Sequence, residues 1–209
     1  MTEPLVSPWK AQGAREAERQ DKRRAVLMTA ARIFCEKGVR NTSLDEIAEQ
    51  LNVTKPTLYY YVRSKDEILA ECVRIGLDLI EEAIAAADRA HLNALERLEA
   101  ALRRYAEIMT MDFAMCVTRI GETELPPESR RALRGHKRKI DTRIRTLIAE
   151  GVDQGSIHAR DPKIAAFIVA GALNWIAHWY DPRGPLTAAQ IADRAVEALI
   201  SGLAPRADM

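Results

Sequence analysis

Aromatic residues are scarce in this sequence: three Phe, three Trp and five Tyr make up 5% of 209 residues. Strand formers are thin throughout, while Ala, Leu, Ile, Glu and Arg dominate, so the chain reads as all-α. Cysteine is scarce as well. Cys35, Cys72 and Cys116 are odd in number and far apart, which argues against a disulfide framework or a zinc site and implies reduced thiols. No apolar run reaches the ~18 residues of a membrane span and no secretory h-region is present, so the expected location is the cytoplasm, away from membranes. Phosphate-loop, dinucleotide-binding, metalloprotease and nucleophile-elbow motifs are all missing. The four histidines, His91, His136, His158 and His178, form no local metal pattern. The expectation is no metal, no cofactor and no enzyme. A helical enzyme assembled from distant residues is the rival class, with no motif in its favour.

What is present is charge, unevenly spread. The net value is only +1, but residues 1–65 carry 12 Lys and Arg against 8 Asp and Glu, whereas residues 66–209 carry 19 against 22. A basic front on a mildly acidic rear suits a polyanion-binding head on a neutral body, although statistical scatter produces such balances too.

Hydrophobic spacing and caps divide the chain into about nine helices. Residues 1–13, with Pro4, Pro8 and Gly13, read as a disordered tail; 14–66 as a DNA-binding head; 67–209 as a ligand-binding and dimerisation body. Val26, Ala30, Ile33 and Phe34 predict a helix from about Ala14 to Lys37, closed by Gly38. Ser43 with Glu46 forms a capping box for a short helix, Leu44 to Leu51, and Asn52 suits a left-handed turn. Thr54 caps a second short helix with Pro56 in its first turn. Ser64 with Glu67 opens a long helix running to about Ala87. In the body, Leu92 to Met109 and Phe113 to Gly121 read as helices before a break at Pro126-Pro127. Further helices are expected from Glu128 to near Gly151, from Asp161-Pro162 to Tyr180, and from the Thr187–Gln190 cap to Gly202.

Two short helices joined by a four-residue turn, between longer ones, describe a helix-turn-helix. A recognition helix needs polar side chains near its N-terminus, and Lys55 and Thr57 stand there: Lys donates to guanine acceptors, and the Thr methyl meets thymine. Thr54 lies at the same edge. Tyr59, Tyr60 and Tyr61 cannot all face one core, so at least one hydroxyl points outward. Thr42 or Ser43 can bring a hydroxyl and a helix N-terminus to a phosphate, with a simple cap as the plainer role of Ser43, and Lys65 is expected to add a phosphate contact. The segments Thr42–Ala48, Val53–Val62 and Ser64–Leu69 resemble the DNA-binding signature of the TetR family of repressors, over about residues 22–70. Asn52 stands where Gly is frequent and Val62 where Phe is frequent; Asn accepts the turn and Val stays apolar. The resemblance implies Tyr59 on a phosphate and Tyr60 toward bases, while packing is the plainer role of Tyr61. It also implies a homodimer paired through its last two helices on a palindromic operator of double-stranded DNA. Ala165, Ala166, Ala170, Gly171, Ala172, Ile191, Ala195, Ala198 and Leu199 would form that seam or, equally, pack within the chain.

The segment Asn174-Trp175-Ile176-Ala177-His178-Trp179-Tyr180-Asp181-Pro182-Arg183-Gly184-Pro185-Leu186 is similar to the end of TetR members controlling fatty-acid, aromatic-acid or steroid-side-chain degradation, which implies a small apolar effector such as an acyl-CoA thioester. Candidate ligand-binding residues are Met109, Phe113, Cys116 and Arg119 in a Met-rich stretch that includes Met111 and Met115, and Phe167, Asn174, Trp175 and His178 on a later helix. Ordinary core packing accounts for each of them singly just as well. The basic run from Arg130 to Arg145 could hold CoA phosphates or be a solvated face. An effector-independent DNA binder is the remaining alternative, disfavoured by a long separate C-terminal half.

Overall fold

The computed structural model describes residues 12–89 and 92–201. Among the described residues there are nine α-helices, one 3-10 turn at Glu122–Glu124 and no strand. The head comprises α1 (Gln12–Lys37), α2 (Leu44–Gln50) and α3 (Lys55–Tyr59). The body comprises α4 (Lys65–Asp88), α5 (Ala94–Ile108), α6 (Asp112–Arg119), α7 (Pro127–Asp153), α8 (Pro162–Trp179) and α9 (Ala188–Ser201). The disordered tail expected up to residue 13 lies outside the described residues except at its end, where Gln12 and Gly13 already belong to α1.

Local chemistry explains most boundaries. Ser43 Oγ accepts from Glu46 N–H, Thr54 Oγ1 from Thr57 N–H, and Ser64 Oγ from Glu67 N–H. The expected capping boxes at Ser43 and Ser64 are only half formed. Glu46 turns to Lys37, and Glu67 reaches the N–H of Arg63 rather than that of Ser64. Complete boxes stand at Asn93 with Glu96, which sequence inspection missed, and at Thr187 with Gln190. Asn52 takes a left-handed φ of 55° between α2 and α3. α7 ends at Asp153, two residues past Gly151, near the expected stop. The helix passes through Gly151, where Ile157 folds back so closely that a Cβ at 151 would stand 2.4 Å from Ile157 Cδ1. The left-handed residue past the end is Gly155, with φ 70°.

The core is continuous from head to body. Leu27, Ala30, Ala31 and Phe34 of α1 bury with Ile47 of α2, Leu58 of α3 and Ile68, Leu69 and Cys72 of α4. α4 then continues without a break, packing on α5, α6 and α7 along a stripe from Val73 to Ala87. α5 packs on α9, and α7 on α8. The boundary expected between residues 66 and 67 therefore falls in the first turn of α4, where no linker intervenes.

α6 crosses α4 at Gly76, where a Cβ would stand 2.6 Å from the Phe113 carbonyl oxygen and 2.9 Å from Val117 Cγ2. The backbone of α6 cannot yield as a flexible side chain would. Gly76→Ala should therefore cost about 1–3 kcal/mol despite the better helix propensity of Ala. Chemical denaturation would register this as a lower midpoint; an unchanged midpoint would mean that α4 and α6 separate without cost.

Candidate functional site

α3 and the turn before it form an open face. Thr54, Lys55, Pro56 and Thr57 are exposed, and Tyr59 and Tyr60 are 48% and 69% exposed. Leu58 is fully enclosed and Tyr61 half-buried against the core, so the single apolar anchor of α3 turns every other side chain outward or sideways. The Thr54 and Thr57 hydroxyls lie 2.9 Å apart, which orients both at the helix start. Lys55 Nζ donates to Asp45 Oδ2 of α2 at 2.8 Å, a partner not anticipated from the sequence; hydrogen bonding to that carboxylate holds the Lys55 pKa above its ordinary value. Beside this face, Arg19 and Lys22 of α1 border a cleft of about 520 Å³ with Tyr60 and Tyr61. Chemically, the face offers hydroxyls, phenols and one exposed ammonium to a polyanion with base edges.

Two expected DNA contacts are corrected. Thr42 is 3% exposed, and its hydroxyl donates to the Gly38 carbonyl at 2.9 Å. It closes the end of α1, and its one hydroxyl proton is already given to that carbonyl and is not free for a phosphate. Lys65 Nζ donates to the carbonyls of Val39 and Thr42 at 2.9 and 3.0 Å, tying the α1–α2 turn to the first turn of α4. Ser43 is exposed and serves as the N-cap of α2.

The effector candidates part into two groups. Met109 and Cys116 are fully enclosed and Phe113 is 7% exposed, so they are core residues, with Phe113 also edging a cleft of about 300 Å³ between α1 and α4. Cys116 Sγ lies 3.6 Å from Cys35 Sγ, and burial together with that neighbour pushes its thiol pKa up. Arg119 Nε donates to the Ala177 carbonyl, binding α6 to α8. On α8, the half-buried Asn174 accepts at Oδ1 from the buried Tyr105 hydroxyl at 2.8 Å and so ties α8 to α5. Phe167, Trp175 and His178 point outward from α8. They are exposed, with the Trp175 and His178 rings stacked at 4.8 Å. They continue an outward apolar stripe that includes Ile164, Ile168 and Trp179.

Open clefts lie instead between α4 and α7. One, of about 430 Å³, sits near the head and is lined by Ala70, Val73, Leu77 and Leu133 with Glu67 and Glu71. A second, of about 440 Å³, lies further along the two helices at Ile84, Ala85 and Ile140. His136 Nδ1 meets Glu81 Oε1 at 2.7 Å between them. The basic run of α7 is thus not uniform. Arg134 and Lys137 pair with Glu122, Arg130 donates to the Leu125 carbonyl, and Arg143 pairs with Asp88.

An exposed recognition face on a two-helix unit, carried by a helical body with clefts, defines a helix-turn-helix DNA-binding regulator. Residues 26–72 match the family described as bacterial regulatory proteins, tetR family, and residues 91–203 match the tetracyclin repressor-like C-terminal domain. The chain belongs to the TetR family. It is 25% identical over 185 residues, 87% of this chain and 92% of the relative, to the HTH-type transcriptional repressor KstR2 of Mycobacterium tuberculosis. It resembles the crystal structure of AibR in complex with isovaleryl coenzyme A and operator DNA, at 31% identity and a TM-score of 0.74, covering 85% of this chain and 97% of AibR. The structure of KstR2 itself, at 21% identity, shares the fold with a TM-score of 0.81 over 88% of this chain and 96% of that one.

Because both hydrogen bonds of Lys65 go to carbonyls of the α1–α2 turn, Lys65→Ala should lower stability by about 1–3 kcal/mol. The salt dependence of DNA binding should stay unchanged, since no phosphate contact is removed. Thermal melts and a salt titration separate the two effects. A flatter salt slope with unchanged stability would return Lys65 to the DNA interface.

Proposed function

We propose that this chain is a homodimeric repressor, acting in the cytoplasm without catalysis, that leaves a palindromic operator when an acyl-CoA thioester binds its body. One observation carries the reading: the exposed α3 face is joined to the clefts beside α7 by the single unbroken helix α4. Support for the effector class comes from AibR, 31% identical, whose structure holds isovaleryl coenzyme A and operator DNA. DNA contacts are assigned to Ser43, Thr54, Lys55, Thr57, Tyr59 and Tyr60, with Lys55 and Thr57 reading bases and the tyrosines touching backbone and bases. Release is a population shift: the effector binds better to the arrangement whose two recognition helices no longer fit successive major grooves.

The dimer seam is assigned to the outward stripe of α8. Ile164, Phe167, Ile168, Trp175 and Trp179 are each at least half exposed, a contiguous apolar surface that water disfavours and a second copy would cover. Of the small residues on the last two helices, Ala166 is buried within its own chain and Ala170 and Ala195 pack partly against its core, whereas Gly171, Ala172 and Ala198 are exposed and can join the seam. Ile168→Asp should therefore yield a soluble monomer with much weakened operator binding, because the charge would be desolvated at the seam. Sedimentation would show the change in mass, and an intact dimer would move the seam elsewhere.

Operator binding titrated with isovaleryl-CoA tests the function as a whole. A coupling of about 1–3 kcal/mol should lower operator affinity roughly 5–150-fold, and operator should lower thioester affinity by the same factor. Equal thioester affinity with and without operator would make the thioester a bystander.

A further inference from the structure

The two clefts between α4 and α7 differ in charge, and the difference selects a ligand. The cleft near the head is bordered by Asp66, Glu67, Glu71 and Glu128; Arg23 pairs with Glu67 and Glu71, Arg74 with Glu71 and Asp78, and Asp66 and Glu128 form no ion pair among the described residues. A multiply charged anion is repelled there. The second groove reverses the balance. Its floor is aliphatic, formed by Ile84, Ala85 and Ile140, and its rim carries Arg138, Lys139 and Arg143. Glu81, the one acid among its lining residues, is engaged by His136. Arg143 is tied to Asp88, but Arg138 and Lys139 form no ion pair among the described residues and are fully available. Two uncommitted cations beside an apolar trough suit an amphiphile whose charged end bears phosphates and whose other end is a thioester arm.

We infer that this groove is where the effector docks: Arg138 and Lys139 hold the phosphates of the acyl-CoA thioester, and its apolar arm lies on Ile84, Ala85 and Ile140. This rests on the acyl-CoA reading above and places the ligand on residues other than the Met-rich stretch of α6 or the outer face of α8. The location has a mechanical consequence. Glu81 lies on α4 16 residues beyond Lys65, roughly 24 Å along a helix. A ligand wedged between α4 and α7 there bears on the same rigid element whose first turn is bonded to the head through Lys65.

Calorimetry on the full chain tests the assignment with three probes: isovaleryl-CoA, free CoA, and S-isovaleryl pantetheine, which lacks the phosphates. The variant is Arg138→Ala combined with Lys139→Ala, both on an exposed helix face. The expected result is at least a tenfold loss of affinity for isovaleryl-CoA, a flatter salt dependence of that binding, and unchanged affinity for the pantetheine thioester. Operator binding in the absence of effector should match the wild type. Wild-type affinity of the double variant for isovaleryl-CoA would overturn the groove alone and leave the effector reading standing. Equal loss of the phosphate-free thioester would also overturn it, since the damage would not lie at a phosphate contact. Failure of every thioester to bind the wild-type chain would overturn the effector reading and the groove together.

Discussion

The structure depends on one continuous apolar stripe. Ile68, Leu69, Cys72, Val73, Leu77, Ile80, Ala83 and Ile84 lie along a single 24-residue helix, α4, and all are buried. The first of them complete the core of the head and the last belong to the body. Each large aliphatic withdrawn from water contributes about 1.5–3 kcal/mol, so breaking the helix between head and body would expose apolar surface on both sides. Gly76 sets how closely α6 approaches this stripe, and α6 in turn meets α1 through Cys116 and Cys35. The recognition face is therefore not a module on a tether. Its orientation is coupled to packing in the body through rigid helices, the condition under which a ligand bound there can bias it.

Charge is distributed by the same logic. Cations in the head are divided between those spent on holding it together and those left facing solvent. Lys65 is consumed by two carbonyls, and Arg23 joins α1 to Glu67 and Glu71 of α4. At the far end of α4, Asp88 lies between Arg97 of α5 and Arg143 of α7, while Glu150 takes the other side of Arg97. These half-buried pairs matter through geometry rather than net energy, since desolvation offsets much of the attraction. What remains uncommitted is informative: Lys55, shared only with exposed Asp45, faces outward from α3, and Arg138 and Lys139 face outward from α7. A count of basic residues along the chain does not distinguish spent charges from free ones.

Local signals were legible where one short stretch of chain decides the outcome. Ser43, Thr54, Ser64, Asp161 and Thr187 cap helices by bonds that close within two or three residues, and Asn52 adopts the left-handed turn its side chain tolerates. Spacing of Val26, Ala30, Ile33 and Phe34 suffices to show which side of α1 is buried. Errors arose where a partner far along the chain decides. Lys65 looks like a surface donor until the turn after α1, more than twenty residues earlier, is placed beside α4 and supplies its acceptors.

The sequence by itself determined the fold class, the helix-turn-helix with its caps, and the family, because these follow from periodicity and from bonds among near neighbours. Only the tertiary structure decided what each helix face touches. On α8, Phe167, Asn174, Trp175 and His178 recur at helical spacing and are indistinguishable as a pattern. Tyr105, 69 residues earlier, ties Asn174 to the interior, while the other three lie on the outer face with Ile164 and Ile168. On α7, the positions of Glu122 and Asp88 settle which of a dozen charges are paired, and the packing against α4 settles which border an open groove. Helical period places side chains on a common face, but whether that face meets protein or water is set by elements distant in the chain, and a local pattern carries no record of them.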